Sequence, residues 1–295
     1  VDAIVYALVF VYFINFYLFQ NYVIPSSSLE KSLLVGDYLF VSKCHYGPRS
    51  PMTPLSFPLT QHTMPILNCK SYIENPQWEY KRLPGIDNVK LNDIVVFNFP
   101  AGDTVAMTVP NPDYYTLTSI YGRDKVWANK SDFGDIVWRP VDRRENYVKR
   151  CVGLPGDNLL ISDRNLYING QLIEAPKDVQ YNYFIESKKL ISERVFVSLG
   201  ISSSDYRTSM ISTEWKRMLQ YQPNADGNYN FVYKLPLTFS MKAKLEKMDY
   251  IVSVRLEDER FGGRTFPQTK SDNTWTRDNY GPIHIPAKGE TIDLT

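Results

Sequence analysis

The sequence predicts a mainly β protein that opens with an apolar helix. Three observations predict it. Aromatic residues are frequent, with 21 Tyr, 15 Phe and 5 Trp, and together with many Val and Ile they suit a pleated, half-buried surface. There are 19 prolines, which punctuate the chain into short runs joined by turns. Asn169-Gly170 stands between two short apolar runs, and Asn-Gly is the favoured two-residue hairpin turn.

Each element follows in order. Ala3 to Phe19 is 17 residues with one polar interruption, Asn15. As a helix it would be about 26 Å long, just under the roughly 30 Å of hydrocarbon in a bilayer. A buried core helix would show one apolar stripe, whereas this run is apolar on all faces. A cleaved leader would be followed by a small-x-small site, and Gln20 to Pro25 is a poor one. A retained membrane anchor over residues 1–21 is the expectation, cut short at its start. The chain begins on Val and ends on Asp293-Leu294-Thr295, so it reads as a piece missing residues at both ends.

Short strands follow the anchor. Gly36 to Lys43 reads as turn then strand, Asp93 to Phe99 as a second and Tyr147 to Val152 as a third. Leu159 to Ile161 is a fourth, and Leu166 to Ile168 with Gln171 to Ile173 forms the hairpin. Pro-rich connectors such as Tyr46 to Pro65 lie between them. Beyond Glu174, Tyr181 to Glu186 and Tyr250 to Leu256 read as strands and Thr238 to Met248 as a helix. The organisation expected is a core over 22–173 and a second β-rich lobe over 174–295.

The 295 residues suffice for one large domain or two modest ones. Net charge is +1, which gives no electrostatic argument for nucleic acid or another polyanion. The three cysteines, Cys44, Cys69 and Cys151, match no zinc spacing and no disulfide framework. A Cys44–Cys69 bridge is open in an oxidising compartment; three small buried side chains is the plainer reading.

Two stretches carry chemistry. Ile24-Pro25-Ser26-Ser27-Ser28-Leu29-Glu30 directly follows the apolar run, and Lys149 lies 121 residues beyond Ser28. A serine hydroxyl needs a base, and lysine is an accepted alternative to histidine. A free lysine has a pKa near about 10.4, so making it mostly neutral at pH 7.4 needs a drop of roughly three units, about 4 kcal/mol. Burial can supply that. Lys149 lies between Val148 and Cys151-Val152, which suggests a desolvated strand. Lys31 is a rival base, but its neighbours Glu30 and Ser32 are polar. Asp142 and Glu145 would raise the pKa of a nearby lysine and are expected to point away. The histidines His45, His62 and His284 stand in no setting that suggests a triad.

Tyr22-Val-Ile-Pro-Ser-Ser-Ser-Leu29, then Leu33-Leu-Val-Gly-Asp37-Tyr-Leu-Phe-Val-Ser-Lys43, resembles the nucleophile box of the type I signal peptidases, Ile-Pro-Ser-x-Ser-Met with a later Leu-x-x-Gly-Asp. Asn92-Asp-Ile-Val-Val-Phe97 is similar to that family's Gly-Asp-Ile-Val-Val-Phe strand. Tyr147-Val-Lys-Arg-Cys-Val-Gly-Leu-Pro-Gly-Asp157 resembles its lysine box, and Leu166 to Gln171 its Leu-Tyr-Ile-Asn-Gly hairpin. Leu29 replaces the family's Met, a roughly volume-conserving change. A later family box, Gly-Asp-Asn-Arg followed by Ser-x-Asp-Ser-Arg, is faintly echoed by Asp278 to Pro286 and is expected beyond Thr295.

The resemblance implies a signal-peptidase-type antiparallel β-sheet catalytic domain with a large β-rich insertion, preceded by a transmembrane helix. It implies Ser28 as nucleophile and Lys149 as general base, with the Ser26 hydroxyl and the Ser28 N–H receiving the oxyanion. Tyr22, Ile24, Pro25, Leu29, Leu33, Leu39, Tyr147 and Val148 would bind substrate in shallow apolar pockets suited to Ala-x-Ala sites. The implied protein is a monomeric endopeptidase on the outer face of the cytoplasmic membrane. It acts on secretory preproteins at the bilayer and uses no metal or other cofactor. The rival readings are a membrane-tethered binding or assembly protein on the same scaffold and a self-cleaving repressor-like Ser-Lys protease. The apolar anchor counts against the latter.

Overall fold

The computed structural model describes residues 2–67, 69–224, 226–261, 265–266 and 275–292. The chain forms two compact units. One comprises Val1–Leu29, Val35–Pro155 and Phe266–Asn273, and the other Glu30–Leu34, Gly156–Thr265 and Thr274–Thr295. The longest stretch of the second unit starts at Gly156.

The first unit begins with α1 (Asp2–Tyr17), none of whose residues is buried. The helix stops at Tyr17 because the next residues pair as β1 (Phe19–Val23) with β2 (Tyr38–Ser42), Phe19 opposite Ser42 and Tyr22 opposite Leu39. Residues 19–21, the last of the expected anchor, are thus strand. α1 has 16 residues, and among the described residues no helix is long and apolar enough to cross a membrane.

Ile24 N–H donates to Asp37 O and Gly36 N–H to Ile24 O, which extends the β1–β2 ribbon toward the serines. A long connection runs from Cys44 to β3 (Ile94–Asn98). Next come β4 (Thr104–Ala106), α2 (Tyr114–Tyr121), α3 (Arg123–Ala128), α4 (Lys130–Phe133), β5 (Ile136–Trp138) and β6 (Asn146–Arg150). β3 pairs antiparallel with β6, and β4 with β5. Asp113 caps α2 by accepting from the N–H groups of Tyr115 and Thr116. Leu117, Val126 and Phe133 from the three short helices close over Ala106 in one apolar cluster.

The second unit holds two antiparallel sheets. β7 (Asn158–Ser162), β8 (Asn165–Ile168), β9 (Gln171–Leu172) and β13 (Tyr280–His284) form one in the order β13-β7-β8-β9. Asn169 and Gly170 join β8 to β9 at φ of 52° and 79°, the left-handed pair that a type I′ turn requires. β10 (Tyr181–Ser187), β11 (Phe231–Leu237) and β12 (Ile251–Leu256) form the other, with β10 central. α5 (Glu193–Leu199), α6 (Ser203–Arg207), α7 (Thr213–Met218) and α8 (Phe239–Glu246) accompany it. Ile185, Leu235, Leu237 and Leu245 are wholly buried in its core, and Thr238 caps α8 by accepting from the Met241 N–H.

The architecture is mainly β and antiparallel, as expected. Helices α2 to α7 and strands β1, β4, β5, β11 and β13 were not foreseen. The helices span only four to eight residues, too few for an apolar period to declare itself. β11 contains Pro236, which argues against a central strand but is tolerated on the sheet edge it occupies. Cys44, Cys69 and Cys151 are free thiols, so no Cys44–Cys69 bridge forms. Cys69 is exposed and Cys44 and Cys151 are only half-buried, so the plainer reading of three buried thiols fails.

Candidate active site

Pro25 ends the β1 ribbon, since it has no N–H to offer a ladder. The chain then makes one tight turn of 3-10 helix, Ser27–Leu29. Ile24 and Leu29 are buried on either side of the serines, 3% and 9% exposed, and hold the turn down. Ser26 and Ser28 stay exposed between them.

Lys149 comes from the middle of β6, where it stands opposite Val95. Its Nζ donates a hydrogen bond to Ser28 Oγ at 2.7 Å. Partial burial lowers the Lys149 pKa below the ordinary lysine value, although the residue as a whole is exposed. The desolvation does not come from Val148, as its place in the sequence suggested. Successive strand side chains point to opposite faces, so Val148 lies on the far side of β6. The neighbours sharing the face of Lys149 are Tyr147 in β6, Cys151 just beyond its end and Val95 across the pair.

The other predicted residues are distributed unevenly. Tyr22 and Leu39 face each other across β1–β2, both half-buried, and burial raises the Tyr22 pKa. Tyr147 is exposed and stacks on Phe99, ring centroids 4.4 Å apart. Pro25 is exposed. Leu33 belongs to the second unit. Ile24 and Leu29 offer little free surface to a ligand.

The rival groups are engaged elsewhere. Lys31 donates to the Gly200 carbonyl. Asp142 accepts from the N–H groups of Met52 and Thr53 and from Thr53 Oγ1, at 2.9–3.0 Å. Glu145 bonds His62 Nε2 at 2.8 Å, which with Arg139 holds its carboxyl below the usual range. His284 lies against Glu290 and Asn158. Among the described residues no group of three or more His, Cys, Asp or Glu is placed to hold a metal ion.

Sequence reasoning missed Lys43. Burial, with Arg49 and Arg143 nearby, pushes its pKa down to about 8. Its Nζ lies 5.9 Å from the Phe16 ring centre. The only signal was its place at the end of an apolar strand.

Fold and geometry together define a class: an antiparallel β protein that brings a serine hydroxyl to a lysine amine. The family model for signal peptidase, peptidase S26, matches residues 1–199. The chain belongs to that family. It is 33% identical over 95 residues to a Signal peptidase I of Rickettsia conorii, covering 26% of this chain and 36% of that one. To the Signal peptidase I of Pseudomonas fluorescens it is 23% identical over 214 residues, 72% and 48% of the two chains. To that of Pseudomonas aeruginosa it is 24% identical over 159 residues, 53% and 32% of the two chains. The chain thus spans about half the length of these relatives or less. No solved structure matches it.

Proposed function

We propose that this chain is the serine-bearing part of a membrane-bound endopeptidase that removes signal peptides from exported preproteins after Ala-x-Ala sites. The observation that carries the reading is the 2.7 Å contact between Lys149 Nζ and Ser28 Oγ. In its charged form the amine donates to the hydroxyl. Once neutral, its lone pair accepts the serine proton along the same line while Oγ attacks the scissile carbonyl.

The Ser28 N–H and the Ser26 hydroxyl receive the oxyanion; one such donor is typically worth about 3 kcal/mol of the barrier. The lysine then returns its proton to the leaving amine, and water, deprotonated by the same amine, releases the acyl group. The β1–β2 ribbon and the exposed Tyr147 are the groups that would receive an extended substrate, with backbone pairing supplying most of the binding. α1, which carries no charge after Asp2, serves as the membrane anchor. It sets the catalytic unit on the outer face of the cytoplasmic membrane, as a monomer acting where substrates lie.

The test uses the full-length parent protein and a preprotein with an Ala-x-Ala site. Ser28→Ala and Lys149→Ala each abolish cleavage while circular dichroism and melting stay unchanged. Turnover surviving in either variant excludes the pair and favours a binding or assembly role.

A further inference from the structure

The connection between β2 and β3 carries a segment that the site does not use. From Pro51 to Cys69 there is no Asp, Glu, Lys or Arg. Arg49 precedes this stretch and Lys70 follows it. Leu55, Phe57, Leu59, Ile66 and Leu67 within it are each half exposed or more. Single exposed apolar residues are ordinary, but five close along one uncharged stretch are not.

The segment is built, not slack. Phe57 N–H donates to Ser71 O at 2.7 Å, and Ile73 N–H to Leu55 O at 2.9 Å. Asp142 and Arg143 clamp Thr53 at its base, and Gln61 Nε2 donates to the carbonyls of Asp142 and Arg144. These bonds leave two turns pointing outward. Leu59 sits on one at φ 62° and 80% exposed; Ile66 sits on the other at φ 74° and 95% exposed. A bulky or β-branched residue with positive φ is unfavourable, by about 1 kcal/mol or more, and water offers such a side chain nothing in return.

One contact ties the base of the segment to α1. The Tyr12 hydroxyl of α1 donates to the carbonyl of Pro54. The segment therefore lies against the flank of this largely apolar helix, more than a turn before it ends at Tyr17. If the helix enters lipid, an uncharged segment at that height enters the headgroup region with it. Arg49 at one margin suits anionic phosphates, while Lys70 at the other pairs with Glu74 at 2.6 Å.

We propose that Leu59 and Ile66 are the tips of a second membrane contact, which dips into the bilayer interface beside α1 and fixes the tilt of the catalytic unit. This rests on the reading of the chain as membrane-bound.

The test uses the whole 295-residue chain with Cys44, Cys69 and Cys151 replaced by serine. It is reconstituted in phosphatidylethanolamine–phosphatidylglycerol vesicles with brominated acyl chains. An environment-sensitive fluorophore is attached singly through Leu59→Cys, Ile66→Cys, Val9→Cys on α1, or Asp124→Cys on α3. The Leu59 and Ile66 labels are expected to shift to the blue and lose about half their emission to bromine, as an interfacial depth of roughly 5–10 Å implies. The Asp124 label is expected to be unaffected. Quenching at Val9 with the Leu59 and Ile66 labels still in water overturns the inference and leaves the membrane reading intact. All labels in water overturns both. A blue shift at Leu59 and Ile66 without quenching puts protein, not lipid, on the tips and also overturns it.

Discussion

Val95 stands directly opposite Lys149 in the β3–β6 pair, so an apolar side chain, not a carboxylate, is the cross-strand neighbour of the amine beside Ser28. This arrangement favours the uncharged lysine. Val95→Asp places an anion within reach of the amine and favours the charged form, raising the Lys149 pKa. The active form under the proposed mechanism is the neutral amine. The acid limb of kcat/KM in the full-length protein therefore moves to higher pH, and activity at pH 7.4 falls by up to about tenfold for each unit that the limb moves. Val95→Asn, similar in shape and uncharged, leaves the limb in place. A limb that stays put in the aspartate variant sinks the assignment of Lys149 as base.

Lys43 predicts a pH-dependent stability. Its pKa is depressed in the folded chain, from an ordinary 10.5 to about 8, so the unfolded chain holds the proton more tightly. Stability therefore rises with pH between about 8 and 10.5, and the penalty is complete below about 8. Lys43→Met removes the penalty. At pH 7 it is expected to stabilise the protein by about 1–3 kcal/mol, and the gain should vanish above the ordinary lysine pKa. Denaturant melts at pH 7 and pH 11 measure it; an equal gain at both would assign the effect to packing instead.

Asp142 holds the base of the uncharged segment. Thr53 is fully buried and Arg143 nearly so, and Asp142 is the anion beside both. Asp142→Ala leaves Thr53 donors without an acceptor and the guanidinium without a counter-charge. The expected loss is about 3–5 kcal/mol, with Asp142→Asn losing less. Amide hydrogen exchange at Met52 and Thr53 should rise in step with it. A loss under about 1 kcal/mol would mean that water takes over the carboxylate's role.

Gly47 pins the start of the same connection. Its φ is +85°, and a Cβ there would lie 2.0 Å from the carbonyl oxygen of Leu83. Because that neighbour is backbone, Gly47→Ala must displace the 83–85 segment as well as adopt an unfavourable φ. The expected loss exceeds about 2 kcal/mol in melts. Near-neutral behaviour would show that the approach of the two segments is loose.

Much of this was legible in the sequence, wherever the signal is local. Alternation and turn residues marked β2, β3, β6 and the β8–β9 hairpin, because strand period and the left-handed demand of Asn169-Gly170 act over a few residues. The serine and lysine stretches were legible as motifs. The short helices α2 to α7 were not, because each is too short to show an apolar period, and the first three are held by a cluster of Ala106, Leu117, Val126 and Phe133 that forms only when four separate elements pack. The surroundings of Lys149 were misread for a related reason: adjacency in a strand is opposition in space, and its neighbour is Val95 rather than Val148.

By itself, then, the order of residues determined which side chains were chemically eligible, a serine after a proline-broken ribbon and a lysine in an apolar strand. Only tertiary structure decided that Lys149, and not Lys31 or the more deeply desolvated Lys43, meets Ser28. The reason is physical. Eligibility is a property of local chemistry, whereas a 2.7 Å contact across 121 residues is set by the register of β3 against β6 and by the burial of Ile24 and Leu29 that holds the serine turn in place.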